Sequence, residues 1–276
     1  MEFFTTSAGV SVHVWDTRDE KSPDKPCVFL LHGYLETMYI FTEVVEALKD
    51  RCRVIVIDLP GHGLTDSAPA EAGGKRVNSL SFSAKVVAGV MEKCGVEKAV
   101  IAGHSMGGYV TLQFLKEYPQ LASGAILLHS HPWPDAPEKA EDREREKRLI
   151  AEGKLQALAA ISIPTMYYEE NLRACDEKIR ETVELCETHD PEGIIASIEG
   201  LRSRPDSQAV MEHPPVPLML VHGDHDIFLP LERVEEMKKL FPEVEYRLVS
   251  DSGHNSFIEQ PEAAIEAIAG FTTRNC

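Results

Sequence analysis

The sequence predicts an α/β fold: a mostly parallel central sheet flanked by helices, interrupted by one helical insertion. Three observations predict it. Short, unbroken apolar runs recur at Cys27–Leu31, Val54–Ile57 and Ala99–Ala102, as in strands buried on both faces of a parallel sheet. Stretches with helical periodicity, Tyr39–Leu48 and Phe82–Met91, lie between them. From about Pro132 to Pro217 the strand signal vanishes while helical spacing continues.

Taken in order, Val10 to Trp15 (V-S-V-H-V-W) alternates apolar and polar residues like a half-buried strand. With Glu2–Thr6 and the turn at Gly9 it forms an opening hairpin. The alternation of strand and helix that follows implies right-handed crossovers. It continues with a helix over Gly107–Tyr118 and a strand over Ala125–Leu128. Inside the interruption, helical spacing recurs over Leu149–Ala160, Leu172–Cys186 and Gly193–Leu201. The charge run Glu138–Arg148 (E-K-A-E-D-R-E-R-E-K-R) is expected to be a solvated helix face with i,i+4 pairs. Strands resume at Pro217–Val221 and Val244–Val249, accompanied by helices over Leu231–Leu240 and Ala263–Phe271. There is no internal repeat and no low-complexity linker.

The chain has 276 residues, 43% hydrophobic and 26% charged, which suits one globular domain carrying an insertion. Lys and Arg total 28 against 45 Asp and Glu, a formal charge of -17. Nucleic acids and anionic membrane surfaces are therefore not expected as partners, because both demand a positive field. None of the six cysteines forms a C-x-x-C pair, and reduced thiols in a cytoplasmic protein are the expectation. Cys27 sits in an apolar run as a small buried hydrophobe. Met1 to Asp16 has no basic region followed by an apolar one, so no signal peptide is expected, and no apolar run is long enough to span a bilayer.

The chemistry begins at Gly103-His104-Ser105-Met106-Gly107, a G-x-S-x-G match between an apolar strand and a helical stretch. Such a strand-to-helix turn strains the serine backbone, lifts Oγ above the sheet and aims a helix N-terminus at a developing oxyanion. The flanking glycines relieve crowding. On these residues the chain resembles enzymes of the α/β-hydrolase fold, across nearly its whole length.

That resemblance carries several expectations. His32-Gly33-Tyr34 matches the H-G-x motif after the first core strand, which implies an oxyanion hole made by the backbone N–H groups of Tyr34 and Met106. The His32 side chain is expected to be structural. Asp58-Leu59-Pro60-Gly61-His62-Gly63-Leu64-Thr65 matches the family stretch D-x-P-G-x-G-x-[ST], expected to support the nucleophile loop. A serine nucleophile needs a base, and the base an orienting acid. The family order of serine, acid and histidine makes His254 the base, in Asp251-Ser252-Gly253-His254-Asn255. The family pattern G-x-x-D-x-x-x-P puts the acid at Asp226 in preference to Asp224, which is expected to serve its own turn. Some members carry the acid one strand earlier, but Leu128-His129-Ser130-His131-Pro132 offers no carboxylate before Asp135.

His129 and His131 form an H-x-H pair, yet no third ligand stands nearby in sequence, so neither a metal nor another cofactor is expected. The family position of the helical insertion makes it a lid: residues 132–216 would be the cap, and 1–131 with 217–276 the core. Trp133, Met166, Tyr167, Tyr168 and His129 are the candidates for lining a substrate pocket. The implied activity is a serine hydrolase acting on a small-molecule carboxylic ester through Ser105, His254 and Asp226. The alternative is a cofactor-free carbon–carbon bond hydrolase or menaquinone-pathway-type lyase of the same fold, though such relatives often have Asn or Tyr at the position of His104. A third option, a ligand-binding module without turnover, sits poorly with an intact triad.

Overall fold

The structure, a computed structural model, describes residues 1–20, 25–71 and 73–276. Its strands in chain order are β1 (Glu2–Ser7), β2 (Val10–Asp16), β3 (Cys27–Leu31), β4 (Arg53–Ile57), β5 (Ala99–His104), β6 (Ala122–Leu128), β7 (Leu218–Gly223) and β8 (Glu245–Val249). They form one eight-stranded sheet in the order β1-β2-β4-β3-β5-β6-β7-β8. The opening hairpin pairs antiparallel and β2 joins β4 antiparallel; every later pairing is parallel. The expected α/β architecture is therefore present, with β1–β2 as its antiparallel edge.

Side-chain alternation explains why the central strands read as unbroken apolar runs. Phe29 and Leu31 of β3 enter the hydrophobic cluster on one sheet face, while Val28 and Leu30 enter the cluster on the other. The second face is covered by α1 (Thr42–Leu48) and, at the end of the chain, α10 (Ser256–Glu259) and α11 (Pro261–Asn275). The first is covered by α2 (Leu80–Lys93), α3 (Met106–Glu117) and α9 (Leu231–Leu240). The Ser79 hydroxyl caps α2 by accepting the Phe82 N–H at 3.1 Å.

Between β6 and β7 lie α4 (Pro137–Ala151), α5 (Leu155–Ser162), α6 (Asp176–Leu185), α7 (Pro191–Arg202) and α8 (Gln208–Glu212). The periodicity over 149–160 implied one helix, but the chain breaks there. Gly153 takes φ +76° and the Lys154 N–H reaches back to the Leu149 carbonyl at 3.0 Å, a glycine-stopped helix end. These helices have a cluster of their own, including Ile150, Ala159, Ile163, Ile179 and Ile198, which packs on Leu35 beyond β3. The charge run is not wholly solvated: Arg143 turns under α4 and is buried against Asp135 and Glu146. No helix among the described residues is long and apolar enough to cross a membrane.

The parallel register places the carboxyl ends of five neighbouring strands together. Leu31 pairs with Gly103, His104 with Leu128, Leu128 with Val221, and Gly223 with Val249. The loops carrying Tyr34, Ser105, His129, Asp226 and His254 all start from that rim. At its centre Gly107 lets two backbones touch, because a Cβ there would fall 2.2 Å from the Leu31 carbonyl oxygen and 2.8 Å from that of His32. Neither obstacle is a movable side chain. Gly107→Ala is expected to lower the thermal unfolding midpoint by roughly 5–10 °C; a melt superimposable on wild type would show that the close approach is dispensable.

Candidate active site

Ser105 directly follows β5 and caps α3 at φ 49°, ψ −109°, a backbone conformation that L-residues rarely adopt. Its neighbours hold it there. The Ser105 N–H donates to the Leu128 carbonyl at 2.9 Å, and the Ser130 hydroxyl donates to the Ser105 carbonyl at 2.9 Å. A Cβ at Gly103 would lie 2.1 Å from the Gly107 carbonyl, so the turn closes only around glycine. The Ser105 hydroxyl itself has no hydrogen-bond partner among the described residues.

Asp226 and His254 come together as the motif order implied. His254 Nδ1 donates to Asp226 Oδ2 at 2.8 Å, leaving Nε2 without a partner among the described residues. The other oxygen, Oδ1, accepts the backbone N–H groups of Phe228 at 2.8 Å and Leu229 at 3.0 Å. Asp226 is 3% exposed, and burial alone would raise its pKa. The His254 charge and the hydrogen bonds from His129 and His254 overcome that and hold it well below the usual carboxylate range. Asp224 accepts the Ser252 N–H at 3.1 Å and ties the Asp226 loop to the His254 loop.

His254 is fixed from three sides. Its N–H donates to the Met166 carbonyl at 2.7 Å, and its own carbonyl accepts from His104 Nε2 at 2.9 Å. Glu259 accepts the N–H groups on either side of it, from Gly253 at 2.9 Å and Asn255 at 3.2 Å. The second Glu259 oxygen accepts the Tyr168 N–H at 2.8 Å, so one carboxylate joins the base loop to the helical insertion.

His104, beside Ser105, forms an ion pair of zero exposure with Glu36. Glu36 Oε2 accepts His104 Nδ1 at 2.9 Å and the Gly33 N–H at 2.6 Å. Since His104 Nε2 faces a carbonyl, both ring nitrogens donate and the ring is an imidazolium. Burial would lower its pKa, but the Glu36 charge and hydrogen bond, with the His254 carbonyl, raise it. The pair thus braces the His32-Gly33-Tyr34 loop against the elbow and the base. The N–H groups of Tyr34 and Met106 have no acceptor among the described residues. Each stands three residues beyond a paired strand residue, Leu31 and Gly103. They are thus free donors on adjacent loops of one rim.

His32 is structural: its Nε2 accepts the Leu59 N–H at 2.8 Å while Nδ1 donates to the Gly33 carbonyl at 2.8 Å. Asp58 supports the neighbouring turn, accepting the N–H groups of Met38 at 2.8 Å and Leu64 at 3.1 Å.

The five pocket candidates do not gather in one place. His129 lies behind the acid rather than at a pocket rim, 1% exposed, with Nδ1 donating to Asp226 Oδ2 at 2.9 Å. Trp133 packs on His131 and Phe241 beneath the Arg233 guanidinium. Tyr167 is buried in the cluster of the insertion. Tyr168 stacks outward on His225 at 3.7 Å between ring centroids. Met166 reaches the site through its carbonyl. Sequence reasoning missed Glu36, Glu259 and Phe228, whose ring lies 4.9 Å from that of His254 and whose side chain is partly open to solvent. Nothing in their spacing separates them from ordinary loop residues.

The H-x-H pair does not act as a unit. His131 turns to the Tyr109 hydroxyl at 3.3 Å. His129, Asp226 and His254 do bring ligand atoms within 4.8 Å of one another, but hydrogen bonds account for those contacts.

The sequence profile of the alpha/beta hydrolase fold matches residues 26–261. The chain belongs to that family. A Bacillus subtilis (strain 168) protein named as a 2-succinyl-6-hydroxy-2,4-cyclohexadiene-1-carboxylate synthase is 28% identical, covering 98% of this chain and 97% of the relative. A pimeloyl-[acyl-carrier protein] methyl ester esterase of Vibrio vulnificus (strain YJ016) is 23% identical over 93% of this chain and 96% of its own. Among solved structures, a thermophilic esterase from Thermogutta terrifontis with malate bound superposes with a TM-score of 0.88 at 28% identity, covering 99% of this chain and 98% of that one.

This alpha/beta hydrolase buries several histidine rings wholly or in part, and burial shifts their titration. Burial pushes His129, His189 and His222 down to about 4 and His131 to about 3. An unfolded histidine protonates near pH 6.5, so between about pH 4 and 6.5 the unfolded chain holds more protons and stability rises with pH. Their contribution is complete above about pH 6.5 and is lost as pH falls, at roughly 1.4 kcal/mol per pH unit for each ring. His104 acts oppositely, since its raised pKa stabilises below about 6.5 and fades as pH climbs through its folded value. Burial lowers His32 and His62 as well, so with six rings against one, thermal unfolding midpoints should fall steadily from pH 7.5 to pH 5. A flat profile across that window would contradict the neutral state of these rings.

Proposed function

We propose that the protein is a serine hydrolase of small carboxylic esters. Ser105 Oγ attacks the carbonyl carbon and its proton passes to His254 Nε2, while Asp226 holds the imidazole through Nδ1. The oxyanion is received by the N–H groups of Tyr34 and Met106. The protonated imidazole then gives its proton to the departing alcohol, and water, deprotonated by the same nitrogen, clears the acyl-enzyme. The Ser105–His254 contact forms as the hydroxyl rotates toward Nε2; such bonds are commonly long until substrate is bound.

The observation that carries this reading is the buried Asp226–His254 pair with Nε2 left open, beside a serine held at φ 49°. Support also comes from relatives named as esterases. In the same reading residues 132–216 act as the cap over the core formed by 1–131 and 217–276. The apolar side chain of Phe228 offers a wall beside the base.

A second reading, lyase or carbon–carbon chemistry at the same serine, is favoured by the name of the Bacillus subtilis relative. Turnover of nitrophenyl esters separates the two. A fluorophosphonate probe is expected to label wild type and not Ser105→Ala. Asp226→Asn should lower kcat by roughly 10⁴ through the wrong histidine tautomer. Equal labelling of both proteins, or full activity of Asp226→Asn, would sink the assignment.

A further inference from the structure

We propose that His129 is a positioning residue that shares the Asp226 carboxylate with His254 and lowers the proton affinity of the base. The proposal rests on the serine-hydrolase reading above.

Both imidazoles donate to the same oxygen. Asp226 Oδ2 accepts His254 Nδ1 at 2.8 Å and His129 Nδ1 at 2.9 Å, while Oδ1 is occupied by two backbone N–H groups. The His129 tautomer follows from its partners. A carboxylate only accepts, so Nδ1 carries the proton. Nε2 faces the Ser256 N–H at 3.3 Å, which only donates, and the Ser256 hydroxyl at 2.7 Å. Nε2 is therefore an acceptor and the ring is neutral, in keeping with a pKa that burial lowers to about 4. His129 holds this place at φ 53°, a strained conformation for a residue with a side chain.

A carboxylate that spends its charge on more donors attracts each one less. With His129 in place, Asp226 stabilises the His254 imidazolium less than it would with His254 alone on Oδ2, so the base stays unprotonated to lower pH. His129 keeps its own proton throughout; the proton that moves is the one leaving Ser105 Oγ for His254 Nε2.

Other titratable groups face this pair from every side. His104 and Glu36 lie behind the base, with Glu259 at the end of the short helix that follows its loop. Tyr109 and His131 approach from α3 and the loop after β6, and His222 from the end of β7. Asp224 and His225 belong to the same loop as Asp226. None of them hydrogen-bonds the Asp226 carboxylate. Among the described residues, only His129 and His254 hydrogen-bond it through side chains.

The test compares wild type with His129→Gly and His129→Asn in the pH dependence of kcat/KM on a nitrophenyl ester. Glycine accepts the positive φ and removes the donor. Asparagine also tolerates that backbone and places an amide N–H close to where Nδ1 stood. His129→Gly should move the acid limb upward by roughly half to one pH unit. Its plateau kcat should fall about tenfold with KM within about twofold, and His129→Asn should restore the limb to about the wild-type position. An acid limb unmoved or lowered in His129→Gly, or an asparagine variant no different from glycine, would overturn the proposal.

A readout on unmodified protein guards against variants that fail to fold. In 15N-histidine spectra ring 129 should stay neutral and Nδ1-protonated from pH 5 to 9. An Nε2-protonated or charged ring in that range overturns the inference. Fluorophosphonate labelling separates the two levels. Unlabelled wild type removes the serine-hydrolase reading, whereas labelled enzyme with an unmoved limb removes only the role of His129.

Discussion

The buried carboxylate of Asp226 is the tie on which the rest of the site depends. It takes four hydrogen bonds: from His254, from His129 and from two amides of its own loop. The donors come from the loops following β6, β7 and β8, so one anion gathers three chain regions. An ionised carboxylate out of water is costly unless its lone pairs are occupied. Here the occupants are two imidazoles and two amides, each held in a fixed orientation.

A second tie works from the opposite side. Glu36 joins the Gly33 loop to His104, and His104 joins that loop to the backbone of His254. The two carboxylates thus brace the base from either flank, one through its ring and one through its main chain. Both depend on the sheet, because parallel register brings all these loops to a single rim. The glycine contacts at 103 and 107 then let the elbow sit directly on the end of β3. The family fold supplies this scaffold.

The α/β class was legible because doubly buried strands have an unmistakable apolar signature, and Ser105, Asp226 and His254 were legible because short motifs mark strand-to-loop junctions. The partners of those residues were not. His129 was placed with the pocket, since an H-x-H pair in a loop says nothing about which way either ring turns; a positive φ at His129 sends it inward to Asp226. Glu36 and Glu259 escaped notice for a related reason. Acidic residues in loops and at the ends of short helices are usually solvated, and only three-dimensional closure reveals that these two are enclosed by N–H groups. Arg143 is the same lesson in the insertion, a buried cation within a charge run that periodicity alone assigns to the surface. The stop at Gly153 was present in the sequence but outweighed by continuous helical spacing on both sides.

The central claim is spatial: residues at 105, 226 and 254 work as one proton-relay line beneath two free backbone donors. A crystal structure of the protein after reaction with a fluorophosphonate tests it most directly. The claim predicts phosphorus bonded to Ser105 Oγ and the phosphoryl oxygen about 2.7–3.1 Å from the Tyr34 and Met106 nitrogens. It also predicts His254 Nε2 beside Oγ or the leaving-group position, with Nδ1 still on Asp226. An adduct on another residue, or a phosphoryl oxygen turned away from both nitrogens, would contradict it.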